Sequence, residues 1–364
     1  MREESIRLLI AGGGTGGHLF PALALAEEFK RQVPEGEVLF VGTARGLEVR
    51  KVPQSGYRLE LIDIGGIKGK GLWGWIKGLL RLPRALWQSR RILRAFRPQL
   101  VVGVGGYASA PVVLAAWMAR LPVLIMEQNA LPGFTNRVLG RLARKVVVAF
   151  PQAAAFFAPG KAELLGNPVR SNLQPRSDAH PVTEPHLLVV GGSQGARVFN
   201  QLLPQAAPAV VKQLPGLRIR HQTGPAERDQ VEESYRQAGI SAEVLAFIDD
   251  MAGAYAWADL VLCRAGATTV AELAAVQKPA LLVPFPFAAD DHQTKNARAL
   301  KEAGAARVLP QANLTVESLA AELIGLLSNP PRLQEMSRAA ASVARPQAAR
   351  EICSLCLRLA GGKA

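Results

Sequence analysis

An apolar strand pattern from Ile6 to Ile10 runs directly into Gly12, Gly13, Gly14, Thr15, Gly16, Gly17 and His18. The design recurs after about half the chain, where Leu187 to Val190 lead into Gly191, Gly192, Ser193, Gln194, Gly195 and Ala196 and then a helical pattern through Leu203. Glycine permits close backbone approach, and a helix N-terminus aims unpaired N–H groups outward, so strand, glycine loop and helix together make an anion site. Two copies in a chain of 364 residues predict two domains of ordinary size, each with a phosphate-type loop.

Apolar runs alternate with helical patterns in both halves, as expected of parallel sheets covered by helices on both faces. Strands are expected near Leu8, Leu39, Leu61, Val101, Leu124 and Val147, then near Leu188, Ile219, Leu245, Val261, Leu282 and Val308. Right-handed crossovers make each half doubly wound, with ligands at the carboxyl ends of its strands and the active site in the cleft between the domains. The boundary is placed at Gly166 to Arg170, giving domains of residues 1–168 and 169–345. A last helix over 346–364 could pack back on the first domain. Residues 98–119 carry no charge, yet they divide into a strand (Leu100 to Val104), a turn (Gly105 to Ser109) and a helix beginning near Pro111, so no membrane span is expected.

Several chemistries can be weighed on these residues. A dinucleotide-dependent oxidoreductase should place an acid at the end of the second strand, where Val41, Gly42 and Thr43 stand instead. Gly191, Ser193 and Gly195 match the spacing of a hydrolase nucleophile elbow, with Asp249 and His292 following in triad order. Phosphate binding by the Ser193 hydroxyl and nearby amides is the competing reading. His18 could cap or pack, or take a hydroxyl proton near neutral pH. In the second half, Arg264 to Glu272 form another loop opening a helix. Its N–H groups and threonines suit a diphosphate, and Glu272 suits a ribose or simply complements the helix dipole. Gln293 offers both donor and acceptor for a sugar, and Asp249 is expected to cap a helix. No Asp-x-Asp pair, zinc motif or Walker motif occurs, so no metal or other cofactor is expected. The three cysteines read as reduced packing residues.

The net charge of +14 is concentrated: residues 1–168 hold 23 Lys/Arg against 11 Asp/Glu, and no acid occurs from Ile64 to Met126. Lys68, Lys70, Lys77, Arg81, Arg84, Arg90, Arg91, Arg94, Arg97 and Arg120 fall there, interspersed with Trp73, Trp75, Ile76 and Trp87. Such a face suits an anionic membrane surface; an amphipathic helix with a solvated basic side is the alternative. No nucleic-acid module is recognisable. Nothing at the N-terminus reads as an exported leader, so the chain is expected to stay in the cytosol.

Taken together, Gly13 to His18, Gly105 to Tyr107, Glu127 to Asn129, Gly166 to Arg170, Gly191 to Ala196, Phe247 to Met251, Cys263 and Arg264 with Glu272, and His292 and Gln293 with Asn296 closely resemble the MurG family of bacterial glycosyltransferases. The resemblance spans nearly the whole chain. It implies a GT-B fold of two doubly wound Rossmann-like domains and metal-free, inverting transfer from UDP-GlcNAc to the 4-hydroxyl of undecaprenyl-pyrophosphoryl-MurNAc-pentapeptide. By the family pattern, Ser193, Arg170 and the run Ala267, Thr268, Thr269, Val270, Ala271 and Glu272 serve the nucleotide and diphosphate, with Glu272 on the ribose. The Ile248 backbone meets the uracil, Asn129 and Gln293 meet the sugar, and Thr15, Gly16 and Gly17 lie where donor and acceptor join. His18 is the expected base, with Glu127 or Tyr107 sharing or replacing that role. Thr268 stands where many relatives have leucine. The resemblance also places the enzyme peripherally on the cytoplasmic face of the cell membrane, with other cell-wall synthesis proteins as possible partners. A sugar-nucleotide epimerase would share the architecture without needing a lipid-facing surface. A non-catalytic lipid- or nucleic-acid-binding protein would leave Glu272 and Gln293 without a use.

Overall fold

The computed structural model describes residues 5–65, 71–175 and 183–361, and their side chains except those of 71–80 and Ala289. The chain divides into two compact units, one of residues 1–170 with 346–364 and the other of residues 171–345.

Unit 1 is built on seven parallel strands: β1 (Arg7–Gly12), β2 (Glu37–Gly42), β3 (Arg58–Leu61), β4 (Leu100–Gly105), β5 (Val123–Glu127), β6 (Lys145–Val148) and β7 (Ala162–Leu164). Their spatial order is β3-β2-β1-β4-β5-β6-β7. Its helices before the linker are α1 (Gly16–Gln32), α2 (Glu48–Gln54), α3 (Gly71–Phe96), α4 (Ser109–Met118) and α5 (Phe134–Leu139). β1 alternates as a strand buried on both faces must: Leu8 and Ile10 join a core with Leu19 and Phe29 of α1, while Leu9 and Ala11 join another with Leu93 of α3 and Val112 of α4.

Unit 2 has six parallel strands: β8 (His186–Val190), β9 (Arg218–Gln222), β10 (Ala242–Leu245), β11 (Leu260–Cys263), β12 (Ala280–Leu282) and β13 (Ala306–Val308), in the order β10-β9-β8-β11-β12-β13. Its helices are α6 (Arg197–Gln213), α7 (Arg228–Gln237), α8 (Met251–Trp257), α9 (Ala267–Ala275), α10 (His292–Ala303), α11 (Val316–Leu327) and α12 (Pro330–Val343). A final helix, α13 (Ala348–Leu359), lies against α1 and returns Ile352, Cys353, Leu355 and Cys356 to the unit 1 core.

Each expected strand is present, and one more, β7, forms an edge from only three residues, Ala162 to Leu164. The helix expected near Pro111 begins two residues earlier, at Ser109. In each sheet the order reverses beside the first strand of the unit, between β1 and β4 and between β8 and β11. That reversal parts the crossover connections and opens a crevice at the strand ends, where both glycine clusters fall.

Candidate functional site

In unit 1 two glycine turns interlock at the reversal point. Gly12, Gly13 and Gly14 follow β1 with φ of 146°, 143° and 89°, and Gly105 and Gly106 end β4 at 94° and 79°. A side chain on Gly106 would stand 2.6 Å from the Gly13 carbonyl oxygen, so only glycine lets the two loops touch. The β1–β4 register slips here: Ala11 pairs with Gly103 but Gly12 with Gly105, leaving Val104 opposite no residue of β1. The Val104 carbonyl accepts from Gln128 Nε2 at 3.2 Å, and Gln128 Oε1 faces His18 Nδ1 at 3.1 Å. The imidazole rests on Gly105, where a Cβ would stand 2.8 Å from Cε1.

Glu48 is the residue that sequence reasoning missed. An acid does reach the end of β2, but it is buried and holds the loops from beneath. Glu48 Oε2 accepts from the Gly14 N–H at 2.7 Å, and Oε1 accepts from the Thr43 N–H and hydroxyl at 3.0 and 3.1 Å. One amide of the expected anion loop is therefore already bonded to an internal carboxylate rather than offered to a ligand. Both oxygens of Glu48 are engaged by the chain's own Gly14 and Thr43.

Glu127 is likewise buried. Its Oε1 accepts from the backbone and side-chain amides of Asn129 at 2.9 and 3.3 Å, and its Oε2 accepts from the Gly133 N–H and Asn136 Nδ2 at 3.1 and 2.9 Å. Four donors on one carboxylate make it an organiser of residues 127–136. Tyr107 is exposed beyond Gly106, and Thr15 is exposed at the N-cap of α1, its carbonyl receiving the His18 and Leu19 N–H groups. Gly16 and Gly17 form the first turn of α1. Arg170, expected at the head of the second domain, falls with unit 1, and its guanidinium lies over the Phe20 ring of α1, 5.3 Å from its centroid.

Unit 2 repeats the design with different chemistry. Gly195 (φ 77°) packs on Thr223, Gln222 Nε2 donates to the Gly192 carbonyl at 2.7 Å, and Asn200 Nδ2 donates to the Thr223 carbonyl at 3.0 Å, so the 191–196 loop is braced by the end of β9. Ser193 is half-buried and has no left-handed φ, and the helix begins only at Arg197. A nucleophile elbow requires a strained serine directly at the strand-to-helix turn, so the geometry removes that reading.

After β11, Gly266 opens α9, whose first residues are Ala267, Thr268, Thr269, Val270 and Ala271; Thr268 is buried and Thr269 half-buried. Glu272 is buried one turn along, and Tyr255 of α8 donates its hydroxyl to Oε2 at 3.0 Å. Gln293 corrects its expected role. Its Oε1 accepts from the Ala265 and Phe285 N–H groups at 3.2 and 2.9 Å, so the carboxamide presents only its N–H donors to a ligand. Asn296, one turn later on α10, donates to the Ala265 carbonyl at 3.3 Å. The two residues hold the backbone of Ala265 on either side, its N–H and its carbonyl, just before the α9 N-terminus. Arg264 lies between the Phe199 and Phe285 rings at 5.1 and 5.3 Å and donates to the Val283 and Pro284 carbonyls; burial pushes it down to about 10. Ile248 is buried ahead of α8, and that helix is capped by Asp250, not Asp249: Asp250 Oδ1 accepts from the Gly253 N–H at 3.0 Å.

Unit 1 thus holds a histidine hydrogen-bonded to a buried amide, and unit 2 a helix N-terminus with a carboxylate and an amide donor beside it. Residues 8–148 match the N-terminal domain of glycosyltransferase family 28, and residues 186–352 match its C-terminal domain. A protein of Anaeromyxobacter sp. named UDP-N-acetylglucosamine--N-acetylmuramyl-(pentapeptide) pyrophosphoryl-undecaprenol N-acetylglucosamine transferase is 53% identical over 97% of this chain and 93% of its own. The chain belongs to glycosyltransferase family 28, in its MurG branch. A Myxococcus xanthus protein of the same name is 50% identical over 97% of this chain and 93% of its own. The crystal structure of Acinetobacter baumannii MurG superposes with a TM-score of 0.78 at 36% identity, covering 97% of this chain and 99% of that one. A UDP-N-acetylglucosamine 2-epimerase, at 15% identity and a TM-score of 0.68 over 98% of this chain and 97% of its own, shares the GT-B fold.

Among the described residues no cluster of three or more His, Cys, Asp or Glu is placed to hold a metal ion. Cys263, Cys353 and Cys356 are buried free thiols. No helix among the described residues is long and apolar enough to cross a membrane. The described part of α3 exposes Arg84, Arg90, Arg91 and Arg94 with Trp87, which Arg91 overlies at 6.0 Å, and α3 packs on α4, which exposes Trp117 and Met118. Lys68, Lys70 and the side chains of Trp73, Trp75, Ile76 and Lys77 lie outside the described residues.

Proposed function

We propose that this protein transfers GlcNAc from UDP-GlcNAc to the 4-hydroxyl of undecaprenyl-pyrophosphoryl-MurNAc-pentapeptide, with inversion, at the cytoplasmic face of the cell membrane. The observation that carries the reading is identity near 50% to transferases of that name over 97% of the chain.

In this reading unit 2 holds the donor. The N–H groups at Ala267 to Thr269 and the Ser193 hydroxyl meet the diphosphate, where the helix dipole favours negative charge. Val270 and Ala271 complete that first turn. Glu272, steadied by Tyr255, accepts from the ribose hydroxyls, the Ile248 backbone pairs with uracil, and Gln293 donates to a sugar oxygen. Unit 1 presents the acceptor, with Thr15, Gly16, Gly17 and Asn129 near the sugars and Arg170 adding positive charge. His18 takes the proton of the acceptor 4-hydroxyl, that oxygen bonds to the anomeric carbon, and the bond to UDP breaks with its electrons leaving on phosphate. Glu127, with four donors on its carboxylate, shapes the 127–136 loop in place of acting as base. Tyr107, exposed at the turn, is left to contact the acceptor. The exposed Trp87, Trp117 and arginines of α3 fit a peripheral lipid contact, with apolar rings at the interface and cations toward headgroups.

The test is incubation with labelled UDP-GlcNAc, with and without muramyl-pentapeptide pyrophosphoryl lipid. Label moving to the lipid only when acceptor is present is the expected result. Epimerised sugar nucleotide from UDP-GlcNAc alone, with no labelled lipid, would reject it.

A further inference from the structure

The hydrogen-bond chain behind His18 decides which ring nitrogen carries the proton. A backbone carbonyl can only accept, so the Gln128 atom facing Val104 at 3.2 Å must be the amide nitrogen. The atom facing His18 at 3.1 Å is then the amide oxygen, which also only accepts. Nδ1 must therefore carry the hydrogen in the neutral ring, leaving the lone pair on Nε2. Gln128 cannot reverse this order, because a flipped amide would set its oxygen against the Val104 carbonyl oxygen, and at 2% exposure water cannot compensate. Gly105, with φ of 94°, leaves the space in which the ring lies flat on the turn.

We infer that Gln128 is a positioning residue that locks neutral His18 in the Nδ1–H tautomer and so directs the basic Nε2 at the acceptor hydroxyl. The inference rests on His18 serving as the base. It also distinguishes this site from a histidine–carboxylate pair: an amide fixes the tautomer without adding negative charge to stabilise the imidazolium, so the proton can pass on once the sugar has moved.

The test is nitrogen-15 NMR of the imidazoles at a pH where His18 is neutral, with the His18 signals assigned by their loss in His18→Gln. A pyrrole-type Nδ1 and a pyridine-type Nε2 are expected in the unaltered protein. In Gln128→Met, which keeps the length of the side chain but loses both hydrogen bonds, the ring nitrogens should become mixed. There kcat should fall about tenfold to a hundredfold while the KM for UDP-GlcNAc stays unchanged. A proton on Nε2 in the unaltered protein, a result that needs no variant to fold, would overturn the inference. So would Gln128→Met with unchanged tautomer and kcat. Full transfer by His18→Gln would instead strike the base assignment, and the spectrum would still report on Gln128.

Discussion

Lowering the pH from 7 to 5 should weaken unit 2 through a single buried imidazole. His221 of β9 is fully buried; its Nδ1 meets the Tyr235 hydroxyl at 3.0 Å, and its Nε2 has no hydrogen-bond partner among the described residues. Burial pushes it from its ordinary 6.5 down to about 3, so the folded chain keeps it neutral across the range in which the unfolded chain protonates it. The unfolded state thus binds the extra proton, and stability present above pH 6.5 is lost as the pH falls toward 3. At pH 5 the unfolded imidazole lies about 1.5 pH units below its midpoint, and at about 1.4 kcal/mol per unit the loss relative to pH 7 is about 2 kcal/mol. Urea unfolding followed by fluorescence isolates the event once Trp73, Trp75, Trp87 and Trp117 are replaced by phenylalanine, since Trp257 is the only tryptophan of the five that falls within residues 171–345. His221→Phe removes the titrating group, so the loss of stability between pH 7 and pH 5 should shrink by about 2 kcal/mol relative to the unaltered protein, whatever constant offset the substitution adds. Equal pH dependence in both proteins would refute the reasoning.

Three other perturbations probe the loops and the packing around them. Gly105→Ala forces a Cβ to 2.8 Å from the His18 ring at a φ of 94°. Transfer should fall more than tenfold while UDP affinity, measured by calorimetry, is retained. Tyr255→Phe removes the bond to Glu272 Oε2, and at about 1 kcal/mol it should weaken UDP about fivefold with little change in kcat. Ile352→Ala opens a cavity where α13 meets the core of β1 and α1 and should destabilise unit 1 by about 2–5 kcal/mol in chemical denaturation, leaving the Trp257 transition in place.

The strands were legible because buried parallel strands are written as apolar runs, and the loops because glycine is favoured where φ turns positive and is needed where two loops touch, as at Gly106. β7 was not, since Ala162 to Leu164 form an edge with no apolar run to mark them. Glu48 was hidden by distance: its role comes from meeting Gly14, 34 positions away, and nothing local to residue 48 distinguishes it from a surface acid. Gln128 was visible only as a neighbour of Glu127, because its meaning depends on meeting Val104 and His18, 24 and 110 positions away. Gln293 was legible as a polar residue at a sheet edge. That its oxygen is taken by two backbone amides follows from the α10 position, which sequence spacing does not reveal. Asp249 and Asp250 are both cap formers, and only backbone geometry chooses between them.

The central claim is a division of labour, with nucleotide recognition in unit 2 and proton removal in unit 1. Calorimetric titration of UDP into His18→Ala and Glu272→Ala tests it directly. The account predicts unchanged affinity in the first and, with charged hydrogen bonds to the ribose lost at about 1.5–3 kcal/mol, a drop of tenfold or more in the second. UDP binding lost in His18→Ala, or untouched in Glu272→Ala, would contradict it.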